Sequence, residues 1–123
     1  MAQIGDRVLD NGLDVCNSEA TALHICSAEP TTYTEAITTY TLGSKSTYSS
    51  GVVSDKGGGG REVTFPAITD GTVSDTDTAT HFAVVDVANT RLLAVQALSS
   101  PQSVTSGNTF TLTSFTVGIA DPA

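Results

Sequence analysis

Residues 81–119 read HFAVVDVANTRLLAVQALSSPQSVTSGNTFTLTSFTVGI, the densest supply of Val, Leu and Phe in the chain. Any core must be built on this stretch. Its apolar runs are short and are separated by turn chemistry at Ala88-Asn89-Thr90, Ser99-Ser100-Pro101 and Ser106-Gly107-Asn108. Runs of this length, rich in β-branched and aromatic residues, read as strands and not as helices.

The faces of these runs differ. Residues 81–87 are apolar on both sides, with Phe82 and Val84 opposite Ala83, Val85 and Val87. Residues 91–98 are similar, with Leu93, Val95 and Ala97 opposite Leu92, Ala94 and Leu98. Strands covered on both faces belong in the middle of a sheet, so both runs are predicted to be central. Residues 109–113 alternate, with Phe110 and Leu112 inward and three threonines outward, and the next inward set is Phe115, Val117 and Ile119. The inward parity changes from even to odd between Thr113 and Ser114. A side-chain period of two forbids that in one regular strand, so a bulge or strand break is predicted there.

The earlier part of the chain offers weaker strands around this module. Residues 3–15 place Ile4, Val8, Leu9, Leu13 and Val15 at helical spacing, with Asp6 in the first turn and Gly12 towards the end as a cap. Residues 20–27 read as a strand with Ala20, Ala22, His24 and Cys26 on one face, ended by Glu29-Pro30. Thr31 to Ile37 has capping-box spacing between Thr32 and Glu35, with Tyr33 and Ile37 as an apolar stripe. Residues 40–52 read as an irregular loop or edge strand, and the four glycines 57–60 as a loop that is mobile in isolation. Residues 61–68 place Val63, Phe65 and Ala67 on one face, and Pro66 makes this an edge strand. Asp70-Gly71 reads as a turn, and residues 72–79 as a solvated strand or loop.

The expected fold is therefore mainly β, a small antiparallel β-sandwich or barrel with a short N-terminal helix. One β-rich domain, residues 1–123, accounts for the length. Residues 1–19 form its N-terminal segment, and residues 81–119 its core strands. The two-sided strands need cover on both faces. A second sheet supplies it, or copies of the chain cover each other, for example as a trimer.

Acidic residues outnumber basic ones by 13 to 5, for a formal charge of −8. That surface repels phosphate backbones and anionic membranes, so neither nucleic acid nor a membrane is an expected partner. No apolar run is long enough to span a bilayer, and MAQIGDRVLDNGLDV lacks the basic and apolar regions of a signal peptide. Two cysteines, Cys16 and Cys26, are too few for a disulfide scaffold. Synthesis in a reducing cytosol, with both as thiols, is expected, and a bridge between them stays open until their separation is known.

Chemistry is sparse. His24 and Cys26 share a strand face, but paired ligands at zinc-site spacing are absent, and no metal site or cofactor is expected. Asp70, Asp75 and Asp77 lie close in sequence without the order of an EF-hand loop. The tetraglycine run is followed by Arg61, not by the Lys and hydroxyl residue of a phosphate loop. Only His24 and His81 could serve as bases, and no nucleophile elbow accompanies the serines. A sugar platform is poorly supplied in a chain with no Trp and three Tyr. The expectation is a protein that is not an enzyme.

Four stretches carry a family resemblance: RVLDNGLDV, ICSAEPTTYTEA, GGREVTFPAITDG, and THFAVVDVANTRLLAVQALSSPQSVTSGNTFTL. In these, and in its overall texture of Thr-, Ala- and Gly-rich strands, the chain resembles small structural proteins of tailed bacteriophages, of the capsid decoration (cement) type. The resemblance implies a virion structural protein, made in the host cytoplasm, that binds the outside of the capsid shell and stabilises it. Its partners would be the major capsid protein and other copies of itself. On this reading the shell contacts come from the N-terminal segment (Ile4, Val8, Leu9) and from the region of residues 33–60 with the arginine that follows it (Tyr33, Tyr40, Tyr48, Arg61). A tail or head–tail connector protein, or a carbohydrate-binding adhesion module displayed on the virion, are the alternatives.

Overall fold

The computed structural model describes residues 6–119, with side chains from Gly12 onward. Helix α1 (Asp6–Ser18) is followed by β1 (Ala22–Cys26), a π-helical turn (Glu35–Thr39), β2 (Thr41–Lys45) and β3 (Val53–Asp55). Then come β4 (Arg61–Phe65), β5 (Ile68–Val73), β6 (Asp77–Asp86), β7 (Arg91–Val104), β8 (Thr109–Leu112) and β9 (Phe115–Ile119). Six strands form a half-barrel sheet in the order β7-β6-β1-β2-β5-β8, and three form a small sheet, β3-β4-β9. Every pairing is antiparallel. The chain is mainly β with a short N-terminal helix, as its pattern predicts.

The two sheets are joined by one bent ribbon. In the small sheet Arg61 opposes Ile119 and Phe65 opposes Phe115. In the half-barrel, three residues further on, Ile68 opposes Leu112. The register is continuous across the gap, so β4–β5 and β8–β9 form a single two-stranded ribbon that turns a corner. Pro66 and Ala67 make the corner on one strand, and Thr113 and Ser114 on the other. Proline has no N–H to leave unpaired, so it suits a point where the ladder is interrupted. Strands that bend from one sheet into the next are how orthogonal packings turn their corners. The parity break at Thr113–Ser114 is this corner. A second break lies opposite, where the buried set passes from Val63 and Phe65 to Ile68 while Ala67 is exposed. Pro66 thus marks a corner and not an edge, because β4 is the middle strand of its sheet.

The main core lies between the two sheets and α1. Leu13 and Cys16 of the helix join Leu23, Ile25, Val63, Phe65, Val84 and others in one cluster. Its centre is aromatic. Phe115 stacks on Phe65 at 4.9 Å and meets Phe82 of the half-barrel at 4.5 Å, while Tyr48 stacks on Phe65 at 5.5 Å. A smaller cluster covers the outer face of the half-barrel: Ala22, Ala36, Ala83 and Val85, with Tyr33, Ile37, Leu92 and Val95 against them. The segment ahead of the π-helical turn is capped as the spacing predicts, with the Glu35 N–H donating to Thr32 Oγ1 at 3.1 Å. The Glu35 carboxylate reaches back one residue further, accepting from the Thr31 N–H and hydroxyl at 2.9 and 2.7 Å.

Several expectations are corrected. β6 is central, between β1 and β7, but β7 is an edge strand of the half-barrel. The two-sided apolarity of β7 arises from a bulge. Val84 opposes Ala94 and Val85 opposes Leu92, so Leu93 is an extra residue. Leu93 and Ala94 then both face the main core, while Leu92 and Val95 face the outer cluster. Ser99-Ser100-Pro101 is no turn but a second and wider irregularity within β7, between the pairs His81–Ala97 and Ala79–Gln102. Asp70-Gly71 lies inside β5 at a register shift. Within the segment read as loop or edge, Thr41–Lys45 is the internal strand β2. Gly12 sits inside α1 and does not cap it. The turn after β6 is as predicted: buried Asp86 accepts from the backbone N–H and side-chain amide of Asn89, at 3.3 and 2.8 Å.

Gly71 is required by close approach. A Cβ there would stand 2.3 Å from ring carbons of buried Phe110. Gly71→Ala is expected to cost about 1–3 kcal/mol by forcing that ring aside. In a Phe110→Ala background the same change is expected to cost clearly less. The double-mutant cycle, read from urea midpoints, tests this coupling, and full additivity would refute it.

Candidate functional site

The residues with most chemical potential are engaged in packing. On β1, His24 and Cys26 face outwards together beneath the π-helical turn, as the alternation predicts. His24 Nδ1 is 2.8 Å from Thr41 Oγ1, and that hydroxyl lies 3.3 Å from the Gly43 carbonyl. Burial holds the His24 pKa below its ordinary value of 6.5. Cys26 is buried with its Sγ 3.6 Å from the Ala36 carbonyl, and burial pushes its thiol up to about 12. Cys16 lies in the main core, and burial raises its pKa too. Both cysteines are free thiols, and no bridge joins them. Among the described residues no three His, Cys, Asp or Glu side chains come together as a metal site. Asp70 pairs instead with Lys45 at 2.9 Å, which holds its carboxyl below the usual range, and Asp77 accepts from the N–H of Thr78 at 2.7 Å. No helix of the described residues is long and apolar enough to cross a membrane.

The residues proposed from sequence as shell contacts do not form one patch. Ile4 lies outside the described residues. Val8 and Leu9 lie on α1, which packs along the small sheet, and their side chains are outside the description. Arg61 starts β4 in that same sheet and pairs with Asp55 across the β3–β4 hairpin. The glycine run is the loop of that hairpin, with Gly58, Gly59 and Gly60 all at positive φ. Tyr33 and Tyr40 lie on the other side of the molecule, flanking the π-helical turn over the half-barrel, and both are half-buried. Tyr48 is corrected to a core residue. Only 6% of it is exposed, and its hydroxyl donates to the Pro66 carbonyl at 2.6 Å. A ring held in this way pins the corner and offers nothing to a partner.

The residues 33–60, which the resemblance makes a source of shell contacts, are tied to both sheets by their own hydrogen bonds. The Tyr48 N–H donates to the Thr21 carbonyl at 3.0 Å, and the Gly51 N–H to the Thr64 carbonyl at 2.8 Å.

β7 and β8 follow each other through a short turn, yet they do not pair. Val104 opposes Asp77 of β6, while Thr109 opposes Thr72 of β5. The strands diverge from their turn and leave a cleft of about 460 Å³ between them. Its floor reaches the core at Ile25, Val73 and Ala79, and its walls are the outer edges of β7 and β8. A smaller hollow of about 210 Å³ continues it past Leu98 and Thr113 to Phe115 and Gln96. There the Gln96 side-chain amide donates to the Thr116 carbonyl at 2.8 Å and bridges the far end. The signal available in the sequence is the pair of edge-like traits in residues 99–113, a proline at 101 and a high hydroxyl content, where Ser99-Ser100-Pro101 alone reads as a turn.

Folded His24 takes up a proton less readily than unfolded His24. The unfolded state therefore binds more protons as pH falls below about 6.5, and stability is expected to decline there. Well above that value His24 contributes no slope. Urea midpoints between pH 8 and 5 should fall in the wild type and less steeply in His24→Gln; identical slopes would refute the assignment. The two thiols are expected to resist iodoacetamide in the native protein at pH 8 and to react in concentrated urea, because only the thiolate attacks; rapid native labelling of Cys26 would contradict its burial. No protein-family model, curated protein or solved structure matches this chain.

Proposed function

We propose that this is a non-enzymatic virion structural protein of a tailed bacteriophage that binds the outside of the capsid shell and stabilises it. The observation that carries the reading, beside the sequence resemblance, is the division of the candidate contacts between two sides of the fold. α1 and Arg61 belong to the small-sheet side, and Tyr33 and Tyr40 to the outer face of the half-barrel. A protein with two separated faces can touch two neighbouring capsomers at once. Each bridge adds affinity without new chemistry, because the second contact is intramolecular. Binding only to the assembled shell stabilises that state by mass action. The acidic surface, at −8 overall, suits a basic capsid exterior and keeps free copies apart before assembly.

The major capsid protein is the partner on this reading, and copies of the chain meet on the shell. A reconstruction of the particle tests it. Density for this chain is expected in many symmetry-related copies over the capsid, and shells lacking it should lose their DNA at a lower temperature. Density confined to the tail would move the protein to the connector class and sink the decoration reading.

A further inference from the structure

β7 and β8 are the two edge strands of the half-barrel and do not pair with each other, and we infer that the seam between them receives an extended polypeptide segment of a partner protein, neutral in its middle and cationic at the end that lies beside Asp75 and Asp77. This does not rest on the virion reading. The walls of the seam are two strand edges, and among the described residues neither pairs with a further strand. A strand edge presents a row of backbone donors and acceptors that an added strand can satisfy. The two walls diverge although a turn of few residues joins them. That turn is held away from a hairpin by its own bonds: the Gly107 N–H donates to the Val73 carbonyl at 3.0 Å, and the Ser106 hydroxyl to the Ser74 carbonyl at 2.9 Å.

Size and chemistry define the occupant. A strand occupies roughly 160 Å³ per residue, taking about 4.8 Å across, 3.3 Å along and 10 Å through the sheet. The cleft of about 460 Å³ therefore takes about three residues. Its floor is apolar, at Ile25, Val73 and Ala79, and its rims are hydroxyls and amides such as Ser100, Gln102 and Thr111. An occupant with small apolar side chains facing in and polar ones facing out fits both. No charged side chain lines the cleft. Beside it, exposed Asp77 opposes Val104, and exposed Asp75 lies two residues earlier. Lys45, Arg61 and Arg91, by contrast, are all paired with acids elsewhere. The charge at the mouth is thus negative. It selects a basic flank on the ligand and disfavours a second copy of this acidic chain.

The experiment titrates the isotope-labelled full chain with three blocked hexapeptides and follows its backbone amide resonances. The first is Lys-Val-Thr-Val-Thr-Lys, the second has Glu at both ends, and the third is the first with alternate backbone nitrogens methylated. The lysine peptide is expected to shift amides of residues 98–104 and 109–113, and to slow their hydrogen exchange. The glutamate peptide should bind about tenfold more weakly at low salt, and the methylated one should leave the seam unchanged. Ser103→Arg, an exposed change on the wall, should abolish the shifts while the rest of the spectrum stays dispersed. Failure of the lysine peptide to shift seam amides at millimolar concentration would overturn the inference. So would equal binding of the methylated peptide, slow exchange at both walls of the free protein, or a dimer sealed through the seam.

Discussion

Phe65 and Phe115 oppose each other on the last rung of the ribbon before it bends, and the remainder of the architecture depends on that rung. Their rings stack at 4.9 Å, Phe82 meets Phe115 from the half-barrel at 4.5 Å, and Tyr48 lies over Phe65. Across the bend the same ribbon supplies β5 and β8 to the other sheet, keeping register as far as Ile68 opposite Leu112. The aromatic cluster is therefore the hinge pin of a two-sheet molecule. It makes the apolar contact between the layers, and the Tyr48 hydroxyl satisfies the Pro66 carbonyl that the corner leaves without a ladder partner.

The same corner explains the open seam. β8 is committed to β5 by the ribbon, and β7 is committed to β6 by a long hairpin whose turn is closed by Asp86 and Asn89. Each strand finds its partner elsewhere, so the two cannot meet although they are neighbours in sequence. The cleft is a consequence of topology, lined by side chains that are individually ordinary. The reactive groups contribute little to the surface. His24 is tied to Thr41, both thiols are buried, and three of the basic side chains are neutralised by acids. What the scaffold presents outwards is shape, strand edges and negative charge.

Much of the fold was legible because alternation is a local property. Phe82, Val84, Ala83 and Val85 could be assigned to faces from the sequence, and so could Leu23 and Ile25 opposite Ala22 and Cys26. The parity break at Thr113 and Ser114 was legible for the same reason, since a period of two tolerates no odd step. Errors gathered where one strand answers to another. Leu93 and Ser99-Ser100-Pro101 sit at bulges, and a bulge depends on the register of two strands at once. Thr41–Lys45 is polar and glycine-bearing, yet it is an internal strand because Gly43 lets β5 pass; a Cβ there would meet the Thr72 carbonyl oxygen at 2.2 Å. Tyr48 looked like surface because its neighbours are Ser and Thr, and only the position of Phe65 and Pro66 makes it core.

By itself the sequence determined the class of fold, the turns at Asn89 and Gly107, the two-sided burial of β6, the acidic surface, and the place where one strand must end and another begin. These follow from side-chain period, turn chemistry and charge, all of which act within a few residues. Tertiary structure alone decided which strands lie at edges, that two breaks far apart in sequence form one corner, which tyrosine is core, and that β7 and β8 part to leave a seam. Those depend on pairing between distant segments, where each strand takes the partner that buries most apolar surface, and no local pattern records that choice.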